Sequence, residues 1–191
     1  MNYIGNKDYW EEKYAGRGST PLRPELSLTE NIEYFKKGSV LDIACGDGRN
    51  TLFLLEKGFA VTGVDYSETA LKRLKMFAAE RNYSVAAKPI DLNIPGALNG
   101  MGTFDNIVVN HFRLKKEQLA ELKNHLSDGG ILFICGFGHK HPVDSKIKKE
   151  DLIQPGGFEA LNPAFRMIRY QEHSDDRGFF VTYLFRKTGA Q

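Results

Sequence analysis

The fold of this chain follows from one stretch of sequence, Val40-Leu41-Asp42-Ile43-Ala44-Cys45-Gly46-Asp47-Gly48-Arg49-Asn50. An apolar run meets an acidic residue and then a short turn with two glycines, and a helical pattern follows. A second apolar run, residues 60–64, ends on Asp65, seventeen residues after Gly48. This order of strand, glycine turn, helix and strand predicts a βαβ unit and therefore a parallel pair of strands.

The alternation of strands and helices continues on both sides of this unit. Apolar runs predict strands over residues 39–44, 60–65, 84–90, 104–109 and 131–135. Helical spacing and end signals predict helices over 24–38, 51–58, 67–81 and 115–126, the third with Ser67 as its N-cap. Two last strands, 165–172 and 179–186, flank the turn 174–178 as a hairpin. We predict an α/β fold with a mainly parallel sheet, helices on both faces and a C-terminal antiparallel hairpin.

Composition predicts an ordinary globular protein of one domain. The chain has 191 residues, of which 41% are hydrophobic and 26% charged, enough to bury a full core. A net charge of +2 gives no indication of a nucleic-acid partner. The apolar runs are too short to span a bilayer, so we expect no membrane association. Two cysteines, Cys45 and Cys135, are too few for a disulfide framework and indicate a reducing cytoplasm.

The glycine turn and Asp65 together indicate a site for a cofactor that contains adenosine. Asp42 and Asp47 would repel the pyrophosphate of a dinucleotide, and the third glycine of the dinucleotide fingerprint is replaced by Thr51. Two carboxylates instead suit a ligand with positive charge, such as S-adenosylmethionine. Asp65 accepts the ribose hydroxyls under either interpretation, so it does not separate them. A nicotinamide oxidoreductase is therefore disfavoured but remains an alternative.

These residues resemble a class I S-adenosylmethionine-dependent methyltransferase. The resemblance is carried by 41–48 as the first motif, 61–67 as the second, Asp91-Leu92, the fourth-strand motif 104–110 and the lead-in 126–132 to strand five. It implies a Rossmann-like sheet of seven strands, the last antiparallel. The start of the chain, residues 9–14, is similar to small-molecule methyltransferases of the tellurite-resistance and thiopurine type. We expect one domain, 1–191: an irregular lid with one helical turn (1–23), a cofactor-binding core (24–136), and an acceptor-side loop with the hairpin (137–191).

The resemblance implies a set of cofactor contacts. Gly46 and Gly48 let the turn approach the cofactor closely, although a plain tight turn is the alternative. Asp42 would hold the ammonium group while also capping the next helix, and Asp65 would accept both ribose hydroxyls. Tyr66 would pack on the adenine or ribose, with a place in the core as the alternative. Asp91 and Leu92 would lie near the adenine, and the alternative for Asp91 is a solvated loop acid. Asn110 would lie at the methionine end of the cofactor, and Asn50 and Ala44 in the turn. Ala44 stands where the family more often has glycine, which is tolerated if its φ stays negative.

The acceptor side has fewer signals. His111 follows strand four and is the candidate general base, with a role as pocket wall as the alternative. His139 would line the acceptor pocket or lie in a solvated loop, and its pairing with His141 gives no metal signal strong enough to predict a metal. Trp10, Tyr14 and Arg17 would form a lid, or pack passively on the sheet edge.

The function predicted from these residues is methyl transfer from S-adenosylmethionine to a small-molecule acceptor by in-line attack, leaving S-adenosylhomocysteine. A soft acceptor such as a thiolate or a chalcogen oxyanion needs no base, whereas an oxygen or nitrogen acceptor makes His111 important. The alternatives are an RNA or protein methyltransferase and a catalytically inert protein that binds the cofactor and acts as an interaction module. The oligomeric state stays open.

Overall fold

The computed structural model describes residues 6–144, 147–161 and 163–189. Residues 1–5 of the expected lid, and residues 145–146, 162 and 190–191 of the expected final segment, lie outside the described residues. None of the helices within these described ranges combines the length and the hydrophobicity of a membrane-spanning segment.

The strands and helices alternate along most of the chain. The strands are β1 Ser39–Ile43, β2 Ala60–Asp65, β3 Ala86–Pro89, β4 Phe104–Asn110, β5 Leu126–Phe137, β6 Phe165–Asp175 and β7 Gly178–Lys187. The α-helices are α1 Lys7–Ala15, α2 Leu26–Glu30, α3 Arg49–Glu56, α4 Glu68–Ala79 and α5 Lys116–His125. Short 3₁₀ turns occupy Ile32–Tyr34, Lys149–Asp151 and Glu159–Leu161.

All seven strands form one sheet in the order β3-β2-β1-β4-β5-β7-β6. Strands β1 to β5 pair in parallel, and β7 pairs antiparallel with both β5 and β6. The predicted fold class is confirmed, including the terminal hairpin. The strand order reverses between β1 and β4, and ligands of open parallel sheets bind outside the carboxyl ends of the strands at such a point.

The sheet is covered on both faces, which explains why its central strands are almost continuously apolar. One buried cluster lies on the face of α3 and α4 and includes Leu54, Leu74 and Phe77. A second cluster lies on the face of α5 and includes Ile107 and Leu122. The predicted N-cap of α4 is confirmed, because the Ser67 hydroxyl accepts a hydrogen bond from the Ala70 amide at 3.1 Å.

Two predictions for the N-terminal part are wrong. The expected irregular lead-in contains the nine-residue helix α1, which Asn6 caps by accepting from the Asp8 amide at 3.2 Å. Only Tyr14 of α1 is buried, so the helix has no apolar periodicity to reveal it. The helix expected from Pro24 to Gly38 is instead α2 and a separate 3₁₀ turn. Asn31 ends α2, and its side-chain amide donates to the Ser27 carbonyl at 2.7 Å.

The conformation of Ala44 also differs from expectation. Its φ is +54°, in the left-handed region, so the negative φ at which alanine would be tolerated without strain is not met. The chain turns sharply after β1 so that the Cys45 amide can donate to the Val64 carbonyl at 3.0 Å, at the end of β2. A residue with a Cβ carries a cost of roughly 1–2 kcal/mol in this conformation.

Replacing Ala44 with glycine should therefore stabilise the fold. We expect Ala44→Gly to raise the free energy of unfolding by about 0.5–1 kcal/mol, since glycine removes the strain but increases the entropy of the unfolded chain. Urea unfolding measures the change. The matched control is Ala120→Gly in the exposed face of α5, which should lower the free energy of unfolding by about 1 kcal/mol. A loss of stability in both variants would show that Ala44 is not strained.

Candidate functional site

The glycine turn lies at the carboxyl ends of β1 and β2 and is closely covered. Gly46 and Gly48 have φ values of +56° and +91°. A Cβ on Gly46 would collide with the Tyr14 hydroxyl, and a Cβ on Gly48 would collide with the side chain of Leu74. Both the backbone conformation and the neighbouring atoms therefore require glycine here.

Asp65 is fixed against this turn by two backbone amides. Its Oδ2 accepts from the Gly46 amide at 2.8 Å, and its Oδ1 accepts from the Ser67 amide at 2.9 Å. The residue is 5% exposed, and burial raises the pKa of its carboxyl group, an effect that the two amide hydrogen bonds partly offset. A carboxylate has about four lone-pair sites, so Asp65 keeps acceptor capacity for a ligand.

Asp42 is a buried carboxylate with little compensation. It is 1% exposed, and its Oδ2 accepts a hydrogen bond from the Thr51 hydroxyl at 2.6 Å. Burial raises the pKa of Asp42 to about 7; the Thr51 hydrogen bond opposes this shift, and the negative charge of Asp65 adds to it. Thr51, at the position of the missing third glycine, thus orients Asp42. A ligand with positive charge would stabilise the ionised form of this group.

Asp47 does not present a free negative charge, contrary to the sequence argument against a dinucleotide. Its Oδ1 accepts from Arg17 at 2.7 Å and its Oδ2 from Arg73 at 3.3 Å, and the residue is 2% exposed. The two guanidinium groups neutralise it, so the argument for a cationic ligand rests on Asp42 alone.

The N-terminal helix α1 lies over the turn and is tied to α4. The carboxylate of Glu11 accepts from the Glu68 and Thr69 amides at 2.9 and 3.1 Å, and from the Ser67 hydroxyl at 3.1 Å. The two amides belong to the first turn of α4, where backbone N–H groups have no acceptor within the helix itself. The sequence analysis did not identify Glu11, because its partners are more than fifty residues away.

The three predicted lid residues lie together on this helix and after it. Trp10 stacks on Tyr14 with ring centroids 5.7 Å apart, and the Arg17 guanidinium lies 4.5 Å from the Tyr14 ring centre. Arg73 of α4 donates to the Arg17 and Gly18 carbonyls at 3.3 and 2.6 Å. The expected lid residues are thus placed beside the glycine turn.

The residues expected around the adenine are less closely associated with the turn. Burial raises the pKa of Tyr66 to about 12, and the charges of Asp65 and Asp91 add to this effect. Asp91 is exposed, and its carboxylate accepts from the Asn93 amide at 2.9 Å within its own loop. Leu92 is buried, and its carbonyl accepts from the Gln118 side chain at 2.6 Å.

The two asparagines have different surroundings. The Asn50 oxygen accepts from the Glu25 amide at 2.9 Å, so this side chain anchors the segment before α2. Asn110 ends β4, and its Oδ1 is buried with no hydrogen-bond partner among the described residues. A buried unpaired acceptor at the switch point is suited to a ligand that donates hydrogen bonds.

Glu25 is the centre of an ion-pair cluster that sequence reasoning missed. It is fully buried, and it accepts from Arg177 at 2.7 and 3.1 Å and lies 3.0 Å from Nε2 of His111 and 3.5 Å from Arg49. Burial alone would raise the pKa of Glu25, but the hydrogen bonds from His111 and Arg177 outweigh it and hold that pKa well below its usual range. In the sequence, the preceding Pro24 indicated the start of a helix and gave no sign of this ion-pair cluster.

His111 lies within a group of aromatic rings at the ends of β4, β5 and β7. Its ring centroid is 5.2 Å from that of Phe137 and 5.3 Å from that of Phe180. His141 joins this group, 4.1 Å from Phe137. His139 instead packs against Phe179 at 5.7 Å. Of the two loop histidines, His141 is therefore the one that reaches the surroundings of His111.

The comparisons with known proteins agree on one family. The model described as "Tellurite resistance protein TehB" matches residues 2–136. The probable S-adenosyl-L-methionine-dependent methyltransferase TehB of Haemophilus influenzae is 28% identical over 138 residues, 69% of this chain and 46% of that protein. The ubiquinone biosynthesis O-methyltransferase of Caulobacter vibrioides is 33% identical over 105 residues, 53% of this chain and 41% of that protein. The chain thus spans less than half the length of these two relatives.

A solved structure is similar in fold over nearly the whole chain. The crystal structure of TehB from Haemophilus influenzae superposes with a TM-score of 0.72 at 22% identity, covering 95% of this chain and 67% of that chain.

Asp42 should reduce the stability of the fold. Because its pKa is raised from 3.8 to about 7, ionised Asp42 destabilises the native state above pH 7, and this penalty is lost as the pH falls towards 4. We expect Asp42→Asn to raise the free energy of unfolding at pH 8 by on the order of 3 kcal/mol, with little change at pH 4. Urea unfolding at the two pH values measures this difference.

The control is a substitution at Asp105, which should change the free energy of unfolding in the opposite direction. Hydrogen bonds from Lys36 and the Ser39 amide lower the pKa of Asp105 to about 2. Asp105→Asn should therefore reduce stability at pH 8. Equal effects of the two substitutions would contradict the assignment for Asp42.

Glu11 should hold α1 in place. Hydrogen bonds to a charged group contribute ~1.5–3 kcal/mol each, so we expect Glu11→Ala to speed tryptic cleavage after Lys13 or Arg17 by at least about tenfold. The control, Lys7→Ala on the exposed face of α1, should leave cleavage at these sites unchanged. Unchanged cleavage in Glu11→Ala would mean that other contacts hold the helix.

Proposed function

The chain belongs to the tellurite resistance protein TehB family, and from this premise we propose that it transfers the methyl group of S-adenosylmethionine to a small-molecule acceptor. One observation carries the proposal. The buried carboxylates of Asp42 and Asp65 and the unpaired Oδ1 of Asn110 lie at, or one residue before, the carboxyl ends of the neighbouring strands β1, β2 and β4, at the switch point of the sheet. These acceptors suit a ligand that presents an ammonium group and ribose hydroxyls.

The residues present fit this cofactor. Asp65 would accept the ribose hydroxyls, and Asp42 and Asn110 would face its ammonium end. Gly46 and Gly48 allow close approach of the turn. The other expected contacts are Tyr66, Asp91 and Leu92 towards the adenine and Ala44 and Asn50 beside the turn. When bound, S-adenosylmethionine supplies a methyl group activated by the positive charge on sulfur.

The protein's own contribution is to orient the acceptor and to exclude water. With the methyl group already activated, holding an acceptor in line can lower the barrier by several kcal/mol, within the ~7–11 kcal/mol that orientation can supply. Helix α1 would act as the cover, with Trp10, Tyr14 and Arg17 beside the turn and Glu11 holding it on α4. His111 would accept a proton where the acceptor carries one, and His139 would lie at the outer edge of the acceptor site.

A small acceptor is supported by this cover and by the relatives. Helix α1 closes over the glycine turn through contacts with α4. The Caulobacter relative is described as an O-methyltransferase of ubiquinone biosynthesis, and ubiquinone is a small molecule. The acceptor's identity is part of the proposal.

A cytoplasmic location is also part of the proposal. Cys45 and Cys135 are both free and buried, and burial raises the pKa of each thiol. Free thiols of this kind persist in a reducing compartment.

Calorimetry of the purified chain tests the proposal. We expect micromolar binding of S-adenosylmethionine and S-adenosylhomocysteine and no binding of NADH. Asp65→Ala should weaken binding about 100-fold, since two hydrogen bonds to a charged group contribute roughly 3 kcal/mol or more. The exposed Asp128→Ala is the control and should bind as the native protein does. Micromolar binding by a folded Asp65→Ala, or binding of NADH alone, would contradict the proposal.

A further inference from the structure

The carboxylate of Glu25 and the imidazole of His111 form a pair beside the proposed methyl-transfer site. Glu25 Oε2 and His111 Nε2 are 3.0 Å apart, with the Glu25 side chain fully buried and that of His111 25% exposed. The pair joins the segment before α2 to the end of β4. The charged and titratable groups around it are Arg49 of α3, Arg177 and Asp175 of the hairpin, Cys135 of β5, and His141 and His173.

The ionised carboxylate fixes which nitrogen of His111 carries hydrogen. Because the pKa of Glu25 is held well below its usual range, its oxygens can only accept hydrogen bonds. Nε2 of His111 must then be the donor. In the neutral ring, Nδ1 is left with a free lone pair, which is the atom that can take a proton.

The position of the ring is fixed from several sides. His111 has a φ of +54°, an unusual conformation for a residue with a Cβ, and its amide donates to the Cys135 carbonyl at 2.8 Å. Phe137 and Phe180 pack against the ring. Strained backbone of this kind costs about 1–3 kcal/mol and is found where a functional group must be held in one orientation.

From this arrangement we propose that the acceptor is an aromatic hydroxyl, deprotonated by Nδ1 of His111, with Glu25 as the positioning residue. The inference rests on the proposed function and specifies its acceptor. A thiolate or an oxyanion is already ionised and needs no base. A phenolic hydroxyl has a pKa of about 10, near enough to that of imidazole for proton transfer to assist attack. The half-buried ring of Phe137, in contact with His111, gives an aromatic acceptor a surface to pack on.

The proton and electrons balance in this step. The O–H bond of the acceptor breaks, its proton bonds to Nδ1, and the electron pair left on oxygen forms the bond to the methyl carbon. The pair of the broken carbon–sulfur bond stays on sulfur, which becomes neutral. The imidazolium of His111 then releases its proton to solvent, while Glu25 stays ionised and stabilises the positive ring meanwhile.

The first test does not depend on enzymatic activity. We expect ¹⁵N NMR of the native protein at pH 8 to show His111 as the Nε2–H tautomer. Glu25→Gln should shift the ¹⁵N signals towards a mixture of tautomers. An Nδ1–H tautomer in the native protein would overturn the proposal.

The second test measures turnover of two acceptor classes, catechol and 3,4-dihydroxybenzoate as phenols and thiophenol as a thiol. His111→Asn and Glu25→Gln should lower kcat for the phenols about 100-fold, the lower end of the 10²–10⁴ range for general base catalysis. Turnover of thiophenol, which is ionised in solution, should change less than about threefold in His111→Asn, because no base is required.

Asp175→Asn is the matched control. Asp175 pairs with Arg177 but does not touch His111, so this variant loosens Arg177 and leaves the Glu25–His111 pair intact. We expect its phenol turnover to be unchanged. An equal loss in Asp175→Asn and Glu25→Gln would assign Glu25 a role in holding the hairpin and would overturn the positioning role.

The outcomes separate this inference from the proposed function. If the protein binds S-adenosylmethionine and methylates thiophenol but neither phenol, the proposed function stands and the aromatic-hydroxyl inference is wrong. If phenols are methylated equally well by His111→Asn, the inference is also wrong. If the native protein does not bind S-adenosylmethionine, it is the proposed function that fails.

Discussion

The hydrogen bonds of the Asp65 carboxylate hold the rest of the site in place. One oxygen accepts from the Gly46 amide and the other from the Ser67 amide, at 2.8 and 2.9 Å. A single buried side chain therefore joins the turn after β1, the end of β2 and the start of α4. The positive φ values of Ala44 and Gly46 persist because this clamp and the pairing of β1 with β2 leave the turn no other conformation.

Buried acids at this edge of the sheet are compensated unequally by their neighbours. Asp47 is neutralised by Arg17 and Arg73. Asp42 has a hydrogen bond from Thr51 and a pKa raised to about 7. A buried carboxylate without a cationic partner lowers the stability of the fold. A ligand that brings an ammonium group would remove this penalty on binding, so stability and ligand affinity are coupled at Asp42.

Helix α1 and the terminal hairpin are held at the same edge of the sheet by two carboxylates, those of Glu11 and Glu25. Glu11 closes the start of α4 from the N-terminal helix. Glu25 connects the segment before α2 to Arg177 in the terminal hairpin and to His111 at the end of β4. The glycine turn is thereby covered from one side, and His111 lies where the segment before α2 meets the last two strands. The catalytic proposal depends on this meeting.

The sequence by itself determined the sheet, the glycine turn after β1 and the cap at Ser67, because burial, turn geometry and capping leave patterns over a few residues. It also placed Asp65 at the end of β2. Only the tertiary structure decided that α1 is a helix, that Ala44 has a positive φ, and that His111 and two arginines surround Glu25. Those features depend on partners 19 to 152 residues away, and the attraction between such charges and backbone groups has no periodicity along the chain.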